Sequence, residues 1–279
     1  MDKSKIKNFM IILLLLVNAF LLTIVISNYS EERQAELYRK DALESVLSQS
    51  GKTLNPNIKF PESIPPQVSL KRDIDSEKKF IASLLGRCDM KDLGGNIYYY
   101  DGKDGKAKFR GTGEFEILLN SGVIPKGNDP VDSAKVALRK LGIEYSGEGS
   151  TVETDGGNTT VTLNCSWNGT PIYNSKISFS FTSEYLMIIT GNRPLDKEDV
   201  IQSTENYPDS ITLLMNFLQT INDTGEVCSE IKDMQIGYFL TSAVSGDCTL
   251  KPVWCIQTDS KSYYINAQTG AAEKLETAS

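Results

Sequence analysis

The residue types that do most protein chemistry are sparse in this sequence, and one is missing. There is no histidine. That removes the commonest general base, the Ser-His-Asp and Cys-His arrangements and the commonest metal ligand. Carboxylates, lysines and five cysteines remain. Cys88, Cys165, Cys228, Cys248 and Cys255 form no Cys-x-x-Cys pair, so a zinc site is not expected. Two readings of them stay open: small buried hydrophobes, or one or two disulfides with an odd thiol left over, Cys248 and Cys255 facing each other across a bend. Glu114 and Glu116 alternate as on the solvated face of a strand. Asp101 with Asp104, and Glu198 with Asp199, lack the spacing of an EF-hand loop. No residue pair has an acid-base setting. The expectation is therefore a non-enzymatic protein, with no catalytic, cofactor-binding or metal-binding residues and no cofactor.

The partner-contact candidates lie instead in an apolar run. Phe9 to Ile26 carries no charge and only two polar residues, Asn18 and Thr23. Eighteen residues rising about 1.5 Å each match the hydrocarbon thickness of a bilayer. Lys3, Lys5 and Lys7 precede the run, and Glu31 and Glu32 follow it. The charge asymmetry predicts a single-pass cell-membrane helix over 9–26, a cytoplasmic tail over 1–8 and an extracytoplasmic remainder. The core is longer than a signal peptide's, and Val25-Ile26-Ser27 is a poor cleavage site, so an uncleaved anchor is expected. A tail so short holds no signalling domain. Any message crossing the bilayer would pass through helix contacts, with Asn18, Phe20 and Thr23 as the contact residues. A lone amide at mid-membrane either profits from a partner or is tolerated without a role.

The whole chain carries a net charge of −7, and its first residues are lysine-bearing, so the outer part is more acidic still. An acidic exterior excludes nucleic acid and anionic lipid headgroups as partners of that part.

Residues 27–70 read as a juxtamembrane helix, capped by Ser30 and stopped by Gly51, then a linker with Pro56, Pro61, Pro65 and Pro66. Leu37, Leu43, Val46 and Leu47 form its thin apolar stripe. From 71 to 279 the chain alternates one helix with several strands, in possible sub-units 71–127, 128–200 and 201–279. Phe80, Ile81, Leu84 and Leu85 line the first helix, which Gly86 stops. Asp129-Pro130 starts the second, lined by Val131, Ala134, Leu138 and Leu141. Ile211, Leu214, Leu218 and Ile221 line the third. Ile177, Phe179 and Phe181 alternate along a half-buried strand after an Asn168-Gly169 turn. This pattern predicts an α+β fold with antiparallel sheets and helices packed on one face.

Two segments carry a family resemblance: Trp167-Asn168-Gly169-Thr170-Pro171-Ile172-Tyr173, and Lys251-Pro252-Val253-Trp254-Cys255-Ile256 followed by Ser262 to Gly270. Both are similar to the hairpins of PepSY-like domains and of the YycI and YycH proteins. The lysine-bearing start and single apolar helix resemble those of YycI proteins. The resemblance implies helix-plus-antiparallel-sheet units behind a transmembrane helix. It implies an accessory regulator of a cell-envelope two-component sensor histidine kinase in Gram-positive bacteria, partnered by that kinase and a YycH-like protein. The alternative is a PepSY-like extracytoplasmic inhibitor or chaperone of a cell-wall hydrolase or protease. The stalk and the five cysteines depart from the family pattern.

Overall fold

The computed structural model describes residues 13–23, 27, 34, 38, 41–61, 63–147, 149–192, 196–200 (backbone only), 207–242 and 248–273. They fall into two compact units, residues 1–54 with 209–230, and residues 55–208 with 231–279.

In the first unit, residues 13–23 and 41–49 are helical. Leu43 and Leu47 of the second segment are buried, as the stripe requires. Gly51 ends it at φ 66°, a left-handed conformation that costs glycine no side-chain clash. Ser30 and Leu37 lie outside the described residues. Strand β1 (Thr53–Leu54) follows, and the Thr53 amide donates to the Ser229 carbonyl at 2.9 Å. Helix α3 (Ser210–Thr224) also belongs here. The Asp209 carboxylate caps its first turn by accepting from the Ile211 and Thr212 amides, and Gly225 closes it in the left-handed region. Its apolar face, Ile211, Leu213, Leu214, Phe217, Leu218 and Ile221, is buried and broader than the four-residue stripe read from sequence.

The second unit holds two antiparallel sheets. The larger comes from two successive helix-and-meander runs. Helix α1 (Ile74–Leu85) precedes β3 (Cys88–Asp92), β4 (Tyr98–Gly102), β5 (Gly105–Phe109) and β6 (Glu114–Leu119). Helix α2 (Pro130–Lys140) precedes β7 (Thr151–Asp155), β8 (Asn158–Trp167), β9 (Thr170–Phe181) and β10 (Leu186–Asn192). The strand order is β3-β4-β5-β6-β10-β9-β8-β7. The fourth strand of one run thus pairs with the fourth strand of the other, Ile189 facing Ile117 at the joint. Antiparallel pairing of equivalent strands relates the two runs by a pseudo-twofold axis through the sheet.

One face of this sheet is apolar. Phe109, Phe115, Ile117, Ile189, Ile177, Phe179 and Val161 are buried in one cluster with Ile81, Leu84, Leu85, Ala134, Ala137 and Leu138 of the two helices. The helices are amphipathic with charged outer positions, so a single layer suffices to cover the sheet. Asp129 accepts from the Val131 amide, with Pro130 next to it, as the capping pair predicts.

The smaller sheet is ordered β11 (Asp196–Val200), β2 (Val68–Arg72), β13 (Cys248–Thr258) and β12 (Glu230–Ser242). On β13, β14 (Ser262–Asn266) also pairs, followed by β15 (Ala272–Glu273). Strand β2 begins inside the segment read as proline linker and sits between two neighbours, with Val68 and Leu70 buried.

The two sheets meet at one parallel pair, Tyr238 with Ile172. The Asn174 side chain extends this contact like a surrogate peptide. Its Nδ2 donates to the Leu240 carbonyl at 2.8 Å, and its Oδ1 accepts from the Leu240 amide at 2.7 Å. Asn192 does the same one strand over, donating to the Asn174 carbonyl and accepting from the Lys176 amide.

Candidate functional site

Three groups of residues have a chemistry that packing alone does not require. The first is the N-terminal helix. Over 13–23 its large apolar side chains point all round the axis, and Leu13 to Val17 and Phe20 to Leu22 are each between 49% and 66% exposed. A helix apolar on every side suits a lipid environment or burial by partners. Asn18 is exposed and has no hydrogen-bond partner among the described residues. Phe20 is 65% exposed. The Thr23 hydroxyl is engaged locally, donating to the Phe20 carbonyl at 2.7 Å, the usual way such a group is satisfied in an apolar helix. Of the three contact candidates, Asn18 alone offers free hydrogen-bonding capacity. Residues 9–12 and 24–26 of the expected span lie outside the described residues, and no described helix is long and apolar enough to cross a membrane.

The second group is a buried charge cluster that the sequence reading missed. Glu77 faces inward from the first turn of α1 and is only 2% exposed. Arg72, at the end of β2, grips it with two parallel bonds, Nε to Oε2 at 2.9 Å and Nη2 to Oε1 at 3.0 Å. The Tyr100 hydroxyl donates to Oε1 at 2.6 Å, and Arg72 Nη1 donates to the Asn96 carbonyl. The Arg72 guanidinium also lies 4.9 Å from the centre of the Tyr98 ring. Burial, and then the bond to Glu77, hold the Tyr100 phenol well above its usual ionisation range. Every polar arm of the cluster is engaged, and its members come from both sheets and a helix. It is a cross-brace. The available signal was a glutamate on the apolar side of an amphipathic helix, five residues after an arginine.

A related cluster surrounds Cys255. Its strand neighbour Tyr264 packs at a tilt against both Tyr173 and Phe239, with ring centroids 5.1 Å apart in each case. Tyr173 lies on the backbone of Gly237, where no Cβ fits. Burial pushes the Cys255 thiol up to about 11, partly offset by hydrogen bonds from Tyr264 and Ser262. Burial and the thiol raise Tyr264 to about 12. A thiol held protonated is a poor nucleophile. Trp254, the neighbour of Cys255, is buried as sheet packing. None of the five cysteines is joined in a disulfide. Cys248 and Cys255 sit on one continuous strand, β13, with no bend to bring them together. Among the described residues no group of three or more metal-ligating side chains converges.

The third group lies on the solvent face of the eight-stranded sheet. A shallow groove of about 280 Å³ opens across β5, β6 and β10, bordered by Lys108, Arg110, Glu114, Glu116 and Thr190. Glu114 and Glu116 are exposed on that face, as their alternation implied. Arg110 pairs with Glu114 at 2.8 Å.

No family model matches the chain. No curated protein matches it either. Among solved structures, it is similar to an uncharacterized protein from Eubacterium rectale ATCC 33656, at 12% identity and a TM-score of 0.48, over 81% of this chain and 90% of that one. It is also similar to the Bacillus megaterium YpeB C-terminal domain, at 14% identity and a TM-score of 0.38, over 73% and 96%. Likeness at these scores carries no argument about function. The chain is a mixed α+β protein dominated by antiparallel sheet.

Proposed function

We propose that this chain is a membrane-anchored accessory regulator of a cell-envelope two-component sensor histidine kinase, working through its apolar N-terminal helix and its extracytoplasmic sheets. The N-terminus is cytoplasmic, the bulk extracytoplasmic, and a YycH-like protein completes the complex. The observation that carries the reading is the helix over 13–23, whose apolar side chains are exposed on every side around a single unpartnered amide, Asn18. In hydrocarbon, an amide gains most from a partner on a neighbouring helix, while Phe20 and the local turn at Thr23 supply shape. The lysine-bearing start and the resemblance to YycI proteins support the same reading. Function resides in binding, and no residue is assigned a catalytic role.

The test is co-purification of the full chain with sensor kinases from detergent-solubilised membranes. Wild type is expected to retain a kinase, and Asn18→Leu to lose most of it. Exchange of residues 9–26 for an unrelated membrane helix without loss of kinase signalling would overturn the proposal. A second reading, an extracytoplasmic inhibitor or chaperone of a wall hydrolase or protease, is favoured by one observation. Edge strand β7 is exposed along its whole length and is open to strand addition by an extended partner. Inhibition of a hydrolase by protein lacking the anchor would favour it.

A further inference from the structure

We infer that the groove across β5, β6 and β10 binds a small zwitterion, an α-amino acid or a dipeptide with both ends free. Lys108 and Glu116 stand directly opposite each other in the strand register. Opposite charges at such positions ordinarily meet across the strands. In the same groove, Arg110 and Glu114 do meet, at 2.8 Å. Lys108 and Glu116 do not. Among the described residues neither joins an ion pair, and neither side chain has a hydrogen-bond partner. The groove therefore presents one ammonium and one carboxylate at its border, both unengaged. The next strand adds no competing charge. It places the Thr190 hydroxyl beside Glu116, while the following residue, Gly191, faces the core.

The chemistry selects the ligand. A ligand carboxylate meets Lys108, its ammonium meets Glu116, and Thr190 bonds to either group. A simple anion fits less well, because the Arg110 charge is already spent on Glu114 and the chain as a whole carries −7. A net-neutral zwitterion meets no such repulsion. The volume of about 280 Å³ lies just below the usual range for small-molecule sites, which suits an amino acid or a dipeptide. The floor is firm. A Cβ at Gly191 would lie 2.8 Å from both Phe115 Cζ and Ile177 Cγ1, so β10 is pressed onto the core beneath the groove. A rigid floor lowers the ordering cost of binding. Solvent-exposed pairs are individually weak, so the affinity belongs roughly in the millimolar range.

The experiment is a titration of the full chain in lipid nanodiscs with L-alanyl-L-alanine, followed by the backbone amide shifts of Lys108, Glu116 and Thr190. Saturable shifts centred on these residues are expected. Lys108→Gln and Glu116→Gln are each expected to weaken binding about fivefold or more, as is blocking either end of the dipeptide by acetylation or amidation. L-alanine distinguishes the sources: equal binding assigns a free amino acid, and preference for the dipeptide assigns a short peptide with both ends free. The charge-exchanged variant, Lys108→Glu with Glu116→Lys, keeps both charges and is expected to bind with the ligand reversed, within about threefold of wild type. Its far-shifted amides report that the sheet is intact. Absence of saturable shifts with both probes, or unchanged binding in both single variants, would overturn the inference.

Discussion

The two halves of the eight-stranded sheet share one plan and differ in how they are fastened to the smaller sheet. The first half, α1 with β3 to β6, has short strands of five or six residues and is held by charge, through Arg72, Glu77 and Tyr100. The second, α2 with β7 to β10, has a long central hairpin, with strands of ten and twelve residues. Its extension is held to the smaller sheet by neutral groups, the Asn174 amide and the Tyr173 ring, with Asn192 bracing Asn174 from β10. A short strand cannot reach the neighbouring sheet, so the contact is made by a long charged side chain whose desolvation must be fully compensated. A long strand reaches it with its own backbone and needs only amides to finish the ladder. The first fastening is the more vulnerable to losing one partner, the second to losing shape.

That contrast is breakable in order of expected effect. Glu77→Ala strands the buried Arg72 guanidinium and the Tyr100 hydroxyl, and is expected to cost about 3–5 kcal/mol in denaturant unfolding. If the loss is under about 1 kcal/mol, the charged brace is not what holds the first half. Asn174→Ala leaves both backbone groups of Leu240 short of a partner and is expected to cost about 2–3 kcal/mol by the same measurement. Gly237→Ala drives a methyl into the Tyr173 ring and to 2.7 Å from the Pro171 carbonyl oxygen, with an expected cost of about 1–3 kcal/mol. A neutral result there would show that the aromatic seat is loose.

The smallest effect is on the pH profile. Burial raises Cys255 to about 11 and Tyr264 to about 12, and Tyr100 is raised as well. In each case the unfolded chain loses its proton first. The stability these groups contribute is complete below about pH 8 and declines as pH rises through the native values. A denaturant midpoint that falls between about pH 9 and 12, less steeply in Cys255→Ala and Tyr264→Phe, is the expected result. A flat alkaline profile would place these groups in water.

Much of this frame was legible in the residues. The helices over 74–85 and 130–140 follow from apolar spacing, the Asp129-Pro130 start and the Gly86 stop. The Asn168-Gly169 turn takes positive φ at both positions, as a tight hairpin demands. What was not legible is long-range. Periodicity cannot say that β6 pairs with β10, or that β2, entered from a proline-rich stretch, runs between two strands far along the chain. Nor can it distinguish a solvated glutamate from Glu77, whose burial depends on Arg72 and Tyr100 arriving from other elements. The groove was equally hidden: Glu116 read as part of a solvated strand face, and only register puts Lys108 opposite it. The apolar stretch and its one amide, Asn18, were legible as composition, because they need no tertiary context.

The pseudo-twofold joint between β6 and β10 also decides where the sheet ends. It places the first strand of each run, β3 and β7, at the two rims. Each rim therefore exposes backbone groups that a neighbouring molecule could extend into a fibre, and the hazard occurs twice. Both rim strands are short, and both are studded with charge: Asp89, Lys91 and Asp92 on one, Glu153 and Asp155 on the other. Docking another copy edge to edge would take these charges out of water, and on the purely acidic β7 would set like beside like. Resistance to edge-to-edge growth is thus written into the two outermost strands of the sheet.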